Sequence, residues 1–234
     1  MKTPIRSADF DADLRLVKIS AIAIVVGAIC SVIALVLIRL IGLFTNLLFF
    51  QRFDFTLITP AGNDLGWWVV AVPAAGGLIT GLMARYGSEM IRGHGIPEAL
   101  EAILFGKSRM SVKVAILKPL SSAIVIGSGG PFGAEGPIIM TGGSVGSLIA
   151  QAFWLTAIER RILLVAGAAA GMAATFNTPI AAALLAVELL LFELKPRSLV
   201  PVALACATAA AIRPFLLGGG PLFPVAGAIS FSTL

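Results

Sequence analysis

Apolar positions run along the chain in long blocks, interrupted by short polar or glycine-rich intervals. Three blocks, 19–38, 65–84 and 162–187, carry no charge and are each 20 residues or more. About 20 apolar residues is what an α-helix needs to cross a bilayer. The first block predicts a very long helix over 16–50, too long for a perpendicular span and therefore tilted. A second span is predicted over 65–85, softened by Pro73 and the Gly76-Gly77 pair. The later segments are shorter: 96–105, 112–126, 137–155, 162–176 ending at Asn177-Thr178-Pro179, then 179–194 and 198–212. The pattern predicts an all-α, polytopic transmembrane bundle with tilted and broken re-entrant helices. A short N-terminal segment, 1–15, precedes a membrane domain over 16–234.

Several of these pieces are too short to span. Helices broken by glycine and proline at membrane depth expose N–H and C=O groups that hydrocarbon does not satisfy, so they line polar cavities. In transporters such half-helices aim their N-termini at anionic substrate near the midplane. Two segments here begin that way, after Gly93-His94-Gly95-Ile96-Pro97 and after Gly133-Ala134-Glu135-Gly136-Pro137. Proline suits a first helical turn, glycine leaves the amides open, and a helix N-terminus carries about half a positive charge. Both starts read as anion-facing. Glu135 is the one charge between Pro119 and Ile158, and an intramembrane carboxylate is costly unless it functions.

Composition supports the membrane class: 58% hydrophobic, 12% charged, mean hydropathy +1.00. The first apolar block continues without a cleavage site, so it is not a signal peptide. Basic residues concentrate in 85–118, whereas 49–64 holds one arginine against two aspartates; the N-terminus and 85–118 are expected to be cytoplasmic and 49–64 external. No basic-aromatic run points to nucleic acid. Cys30 and Cys206 lie in apolar runs and read as packing residues. With a single histidine and no Gly-Lys-Ser/Thr after the glycine cluster, neither an enzyme nor a phosphate loop is indicated, and no cofactor or metal site is expected.

The motifs resemble those of the CLC chloride channels and chloride/proton exchangers. "GHGIPEALEAI" resembles that family's "GSGIPE" segment, and "GAEGP" its "GREGP". "IIMTGGSVGSLIAQ" continues the match, and "AGAAAGMAATFNTPIAAALLAVE" resembles the next helix pair. Lys118 lies 17 residues before Glu135, where the family often has a lysine. The resemblance implies one repeat of an inverted-repeat fold. It implies that Glu135 is a gating carboxylate occupying the anion path, with Gly93, His94, Gly95, Ile96, Pro97, Gly133, Ala134, Gly136 and Pro137 framing the anion sites. It also implies a homodimer, with 179–194 and 198–212 in the contact.

Four departures refine that expectation. Ala134 replaces the motif's arginine, which weakens the local field but leaves the backbone amide. His94 stands where a serine is usual, and imidazole is larger and titratable, so anion selectivity or pH dependence should differ. Exchangers carry two adjacent glutamates after the asparagine-proline break; Glu188 falls on the first and Leu189 on the second. Leucine carries no proton, which favours passive movement of chloride or a similar anion. Glu188 is the alternative proton path for an antiporter, or else a buried structural carboxylate. Finally, the sequence matches only the first repeat, so a second repeat, a second copy, or a role as a non-conducting truncated subunit has to be weighed. Gly142-x₃-Gly146 and Gly167-x₃-Gly171 read as helix-packing spacings. Localisation is expected to be a bacterial inner membrane.

Overall fold

The computed structural model describes residues 14–218, so most of the expected N-terminal segment lies outside the described residues. Eight α-helices and no strand are present among them: α1 (Leu14–Phe50), α2 (Ala71–Tyr86), α3 (Ile96–Leu104), α4 (Val112–Gly127), α5 (Glu135–Ala152), α6 (Ala157–Phe176), α7 (Pro179–Ala186) and α8 (Pro196–Leu217). A 3₁₀ turn, Gly66–Val70, leads into α2, and a π-helical turn, Val187–Leu191, extends α7. Three helical stretches among the described residues, Leu14–Phe50, Gly66–Tyr86 and Pro196–Leu217, are long and apolar enough to cross a membrane.

Helix α6 occupies the centre, touching α1, α5, α7 and α8. Every residue from Ile162 to Thr175 is buried, as a helix that is apolar all round should be. Glycines set how closely it meets α5. A methyl group at Gly142 or Gly167 would overlap the other's carbonyl, and one at Gly146 would overlap that of Leu163. Both expected glycine spacings therefore lie at backbone-to-backbone contacts. α1 and α8 pack in parallel: Gly27 abuts the Ala205 carbonyl, and four residues on the Ser31 hydroxyl donates to Ala209 O at 3.3 Å. Cys30 and Cys206 are buried and unpaired, Cys30 donating to Gly167 O at 3.3 Å.

α4 and α5 form a re-entrant hairpin. α4 runs to a glycine-rich tip at 128–134, and α5 returns beside the residues that precede α4. The Ser147 hydroxyl donates to Ser108 O at 2.6 Å, and Gln151 Nε2 to Met110 O at 3.0 Å.

Boundaries differ from expectation where caps override hydropathy. α5 starts at Glu135, two residues before the predicted Pro137, so the carboxylate belongs to the first turn. α6 starts at Ala157, five residues before the predicted Ile162. Its capping box has the Thr156 hydroxyl accepting from Glu159 N, while Glu159 accepts from Thr156 N at 2.9 Å; this outweighs three charges in the opening turns. α8 runs from Pro196 to Leu217, because Pro196 suits a first turn. The predicted 179–194 helix ends earlier, at Phe192 with φ 55°.

Candidate functional site

The two predicted helix starts meet. Gly95, the residue before α3, has φ 116°, a conformation that L side chains rarely adopt. It faces Gly136 in the first turn of α5: a methyl group on Gly95 would lie 2.7 Å from the Gly136 carbonyl carbon. A methyl group on Gly136 would overlap the His94 carbonyl and sit 3.1 Å from His94 Nδ1. The imidazole therefore lies against the opening of α5.

The two starts differ in how their amides are used. At α3, the Glu98 carboxylate turns back and accepts from Gly95 N at 2.7 Å. One N–H donor of this start is thus taken by its own chain, and Pro97 supplies none. At α5, the residue before the helix is Ala134, and no side chain caps the helix. Its first N–H groups have no intrahelical acceptor, and the first helical side chain is Glu135.

Lys118 on α4 holds the segment in front of α3. It is 2% exposed and donates to Ile91 O at 3.1 Å and to Gly93 O at 2.5 Å. Its ammonium thereby fixes the backbone that carries His94, with the Glu98 carboxylate nearby to offset its charge. The position of Lys118 was legible as a motif match, but this pinning role was not. Glu98 was missed as well, although a carboxylate three residues into a helix is a recognised capping signal.

Two cavities are lined by residues that adjoin the Gly95–Gly136 contact. One of about 440 Å³ is lined by Gly93, His94, Lys118, Gly133 and Pro137, together with residues of α2 and α4. A smaller one of about 230 Å³ is lined by Glu135, Met172, Phe176, Thr178, Ala181 and Leu185. Glu135 and His94 thus line different cavities. Gly95 and Gly136 are buried, Ile96 and Ala134 are half-buried, and Pro97 is exposed. Nothing in the sequence pattern pointed to Met172, Phe176 or Thr178.

Glu188 lines neither cavity. It sits in the π-helical turn and is exposed, so the expectation of a buried structural carboxylate is corrected. The turn directs Leu190 and Leu191 into the core, and Leu189 packs against it. An Arg161 Nη donates to the Leu191 carbonyl and closes this end.

A family model for the voltage gated chloride channel matches residues 76–234. The voltage-gated ClC-type chloride channel ClcB of Yersinia pseudotuberculosis is 34% identical over 174 residues, covering 74% of this chain and 42% of that protein. The protein of the same name from Citrobacter koseri is 30% identical over 203 residues, covering 86% and 48%. The chain therefore spans about half the length of the curated relatives it matches. A crystal structure of a slow cyanobacterial Cl⁻/H⁺ antiporter superposes with a TM-score of 0.67 at 24% identity, over 90% of this chain and 49% of that one, a likeness of fold. The re-entrant α4–α5 hairpin, the paired helix starts and the match over residues 76–234 lead to one conclusion: this is an integral membrane protein that belongs to the voltage-gated chloride channel family.

Proposed function

We propose that the chain forms one half of a pathway through which chloride or a similar small anion moves passively across a bacterial inner membrane, with Glu135 as the gate. The observation that carries this reading is the uncapped start of α5. Its open amides stand beside a carboxylate that belongs to the same first turn. A carboxylate is itself an anion, so it competes with a permeant ion for those donors and yields when protonated or displaced. Gly133, Ala134, Gly136 and Pro137 supply the backbone of this station. Gly93, His94, Gly95, Ile96 and Pro97 form the adjoining wall, held by Lys118.

The test is flux. In the chain reconstituted together with whatever completes the pathway, Glu135→Ala is expected to raise chloride efflux from liposomes and to flatten its pH dependence. Efflux and pH dependence equal to the parent's would overturn the gate.

A second reading, chloride/proton antiport, is favoured by one observation. The cavity at Glu135 runs along α7 past Ala181 and Leu185, toward the turn that carries Glu188. Proton uptake recorded in the same vesicles separates the two: a passive conductor shows none, and an antiporter loses it in Glu188→Gln.

Self-association through α7 and α8 is part of the proposal. Ile180 and Leu184, one turn apart on α7, and Val200 and Leu204, four residues apart on α8, are exposed, an apolar stripe on each helix suited to a second copy.

A further inference from the structure

We propose that the end of the bundle formed by the 105–113 segment and the α5–α6 corner is a binding site for the headgroup of an anionic phospholipid. The proposal is independent of the anion pathway and concerns the opposite end of α5.

The segment is held rigidly in an unusual shape. Lys107 and Ser108 are consecutive non-glycine residues with φ 51° and φ 56°, conformations that cost about 1–3 kcal/mol each and persist only when neighbours hold them. The neighbours are identifiable. Arg160 Nε donates to Lys107 O at 2.9 Å, Ser147 to Ser108 O, and Met110 N donates to the Ser147 hydroxyl at 3.0 Å. The carbonyls are thus turned inward, and the side chains of Lys107 and Arg109 are left exposed, with Lys113 exposed at the start of α4.

The charges are uncompensated. Arg109 stands near enough to Arg160 for the two guanidinium groups to repel. Among the described residues, no carboxylate pairs with Lys107, Arg109 or Lys113. Glu101, the nearest carboxylate along the chain, makes no ion pair with them among the described residues, and Glu159 at the α5–α6 corner is engaged by the Thr156 hydroxyl at 2.8 Å. Exposed cations on a held backbone, with no carboxylate paired to them, suit a phosphodiester, which accepts several charge-assisted hydrogen bonds.

The aromatic surroundings select a lipid over a free phosphate. Phe105, Phe153 and Trp154 at this end are 82%, 58% and 93% exposed. Trp154 is fixed at φ 54° by the turn that closes α5, in which Leu155 N donates to Ala150 O at 3.0 Å. Amphipathic rings of this kind sit at headgroup level, and basic pockets between helices on the cytoplasmic side bind anionic headgroups.

The chain contains three tryptophans, so Trp67→Phe/Trp68→Phe leaves Trp154 as the sole reporter. In proteoliposomes, its quenching by phosphatidylglycerol with brominated acyl chains is compared with quenching by equally brominated phosphatidylcholine. The expected result is preferential quenching by the anionic lipid. The relative association constant should fall by about fivefold for each cation removed in Lys107→Asn and Arg109→Gln; asparagine is chosen because it accepts a positive φ. Equal quenching by the two lipids, or a preference unchanged in the double variant with its helicity intact, would overturn the proposal. If the variant does not fold, a salt titration of the parent decides. A preference that weakens with ionic strength supports the site, and one indifferent to salt overturns it. Loss of the preference in inorganic phosphate, but not in chloride of equal ionic strength, would reassign the site to free phosphate and likewise overturn a lipid site.

Discussion

At the residue scale, the site depends on atoms that are absent. Gly95 and Gly136 let α3 and α5 start against each other, and neither position has room for a Cβ. Gly95→Ala is expected to lower the thermal unfolding midpoint by more than Ala74→Gly on exposed α2, because it combines a positive φ with overlap on backbone that has no side chain to move. A cost of about 1–3 kcal/mol follows for the overpacking alone. Circular dichroism melts of both variants check the order. His94→Ser is expected to change the ratio of chloride to nitrate flux in vesicles, since it removes a ring lying against the first turn of α5; an unchanged ratio would take His94 out of selectivity. Glu135 and both glycine-proline starts were legible in sequence, because each is a local signal: a carboxylate in an uncharged run, and breakers at fixed spacing. The separation of Glu135 from His94 into two cavities was not legible. It depends on how α5 packs against α4, α6 and α7, and no spacing rule encodes that.

At the element scale, small residues act as spacers and caps act as boundaries. Gly167→Val should force α5 and α6 apart and destabilise the chain by about 1–3 kcal/mol, whereas the same change at Gly77, where nothing lies within 4 Å, should be far milder. The corner before α8 carries a pH dependence. Burial disfavours the Glu193 carboxylate, but the Ser198 hydroxyl, donating at 2.7 Å, and Lys195, at 3.5 Å, more than offset it, so the group sits below its ordinary value of 4.5. A depressed carboxylate stabilises the fold above pH 4.5 and loses that contribution as pH falls through the lowered value. Ser198→Ala should therefore lower the melting midpoint at pH 7, with the gap to the parent narrowing at acid pH. The existence and order of the helices followed from hydropathy blocks, whereas their edges did not. The start of α6 lay among Glu159, Arg160 and Arg161, where a hydropathy window discounts the residues that a capping box recruits. The π-helical turn after α7 has no signature in the apolar run that contains it.

At the scale of the whole molecule, the exposed stripe on α7 makes a prediction about assembly. Leu184→Cys is expected to give a disulfide-linked dimer in membranes on mild oxidation, since the buried Cys30 and Cys206 offer no competing surface thiol; a monomer under the same conditions would argue against self-association through α7. The parallel pairing of α1 with α8 bears on biosynthesis. Ser31 and its acceptor Ala209 are 178 residues apart, so α1 is sealed along one side by a helix that leaves the ribosome much later. At about 5–20 residues per second, that partner emerges roughly 10–40 s later. Through that interval the glycine-serine face of α1 has to be chaperoned by the insertion machinery or by lipid. The slow step in forming this pairing should then be the wait for α8, and a ribosome pause placed between α7 and α8 should lengthen the lifetime of a protease-sensitive α1.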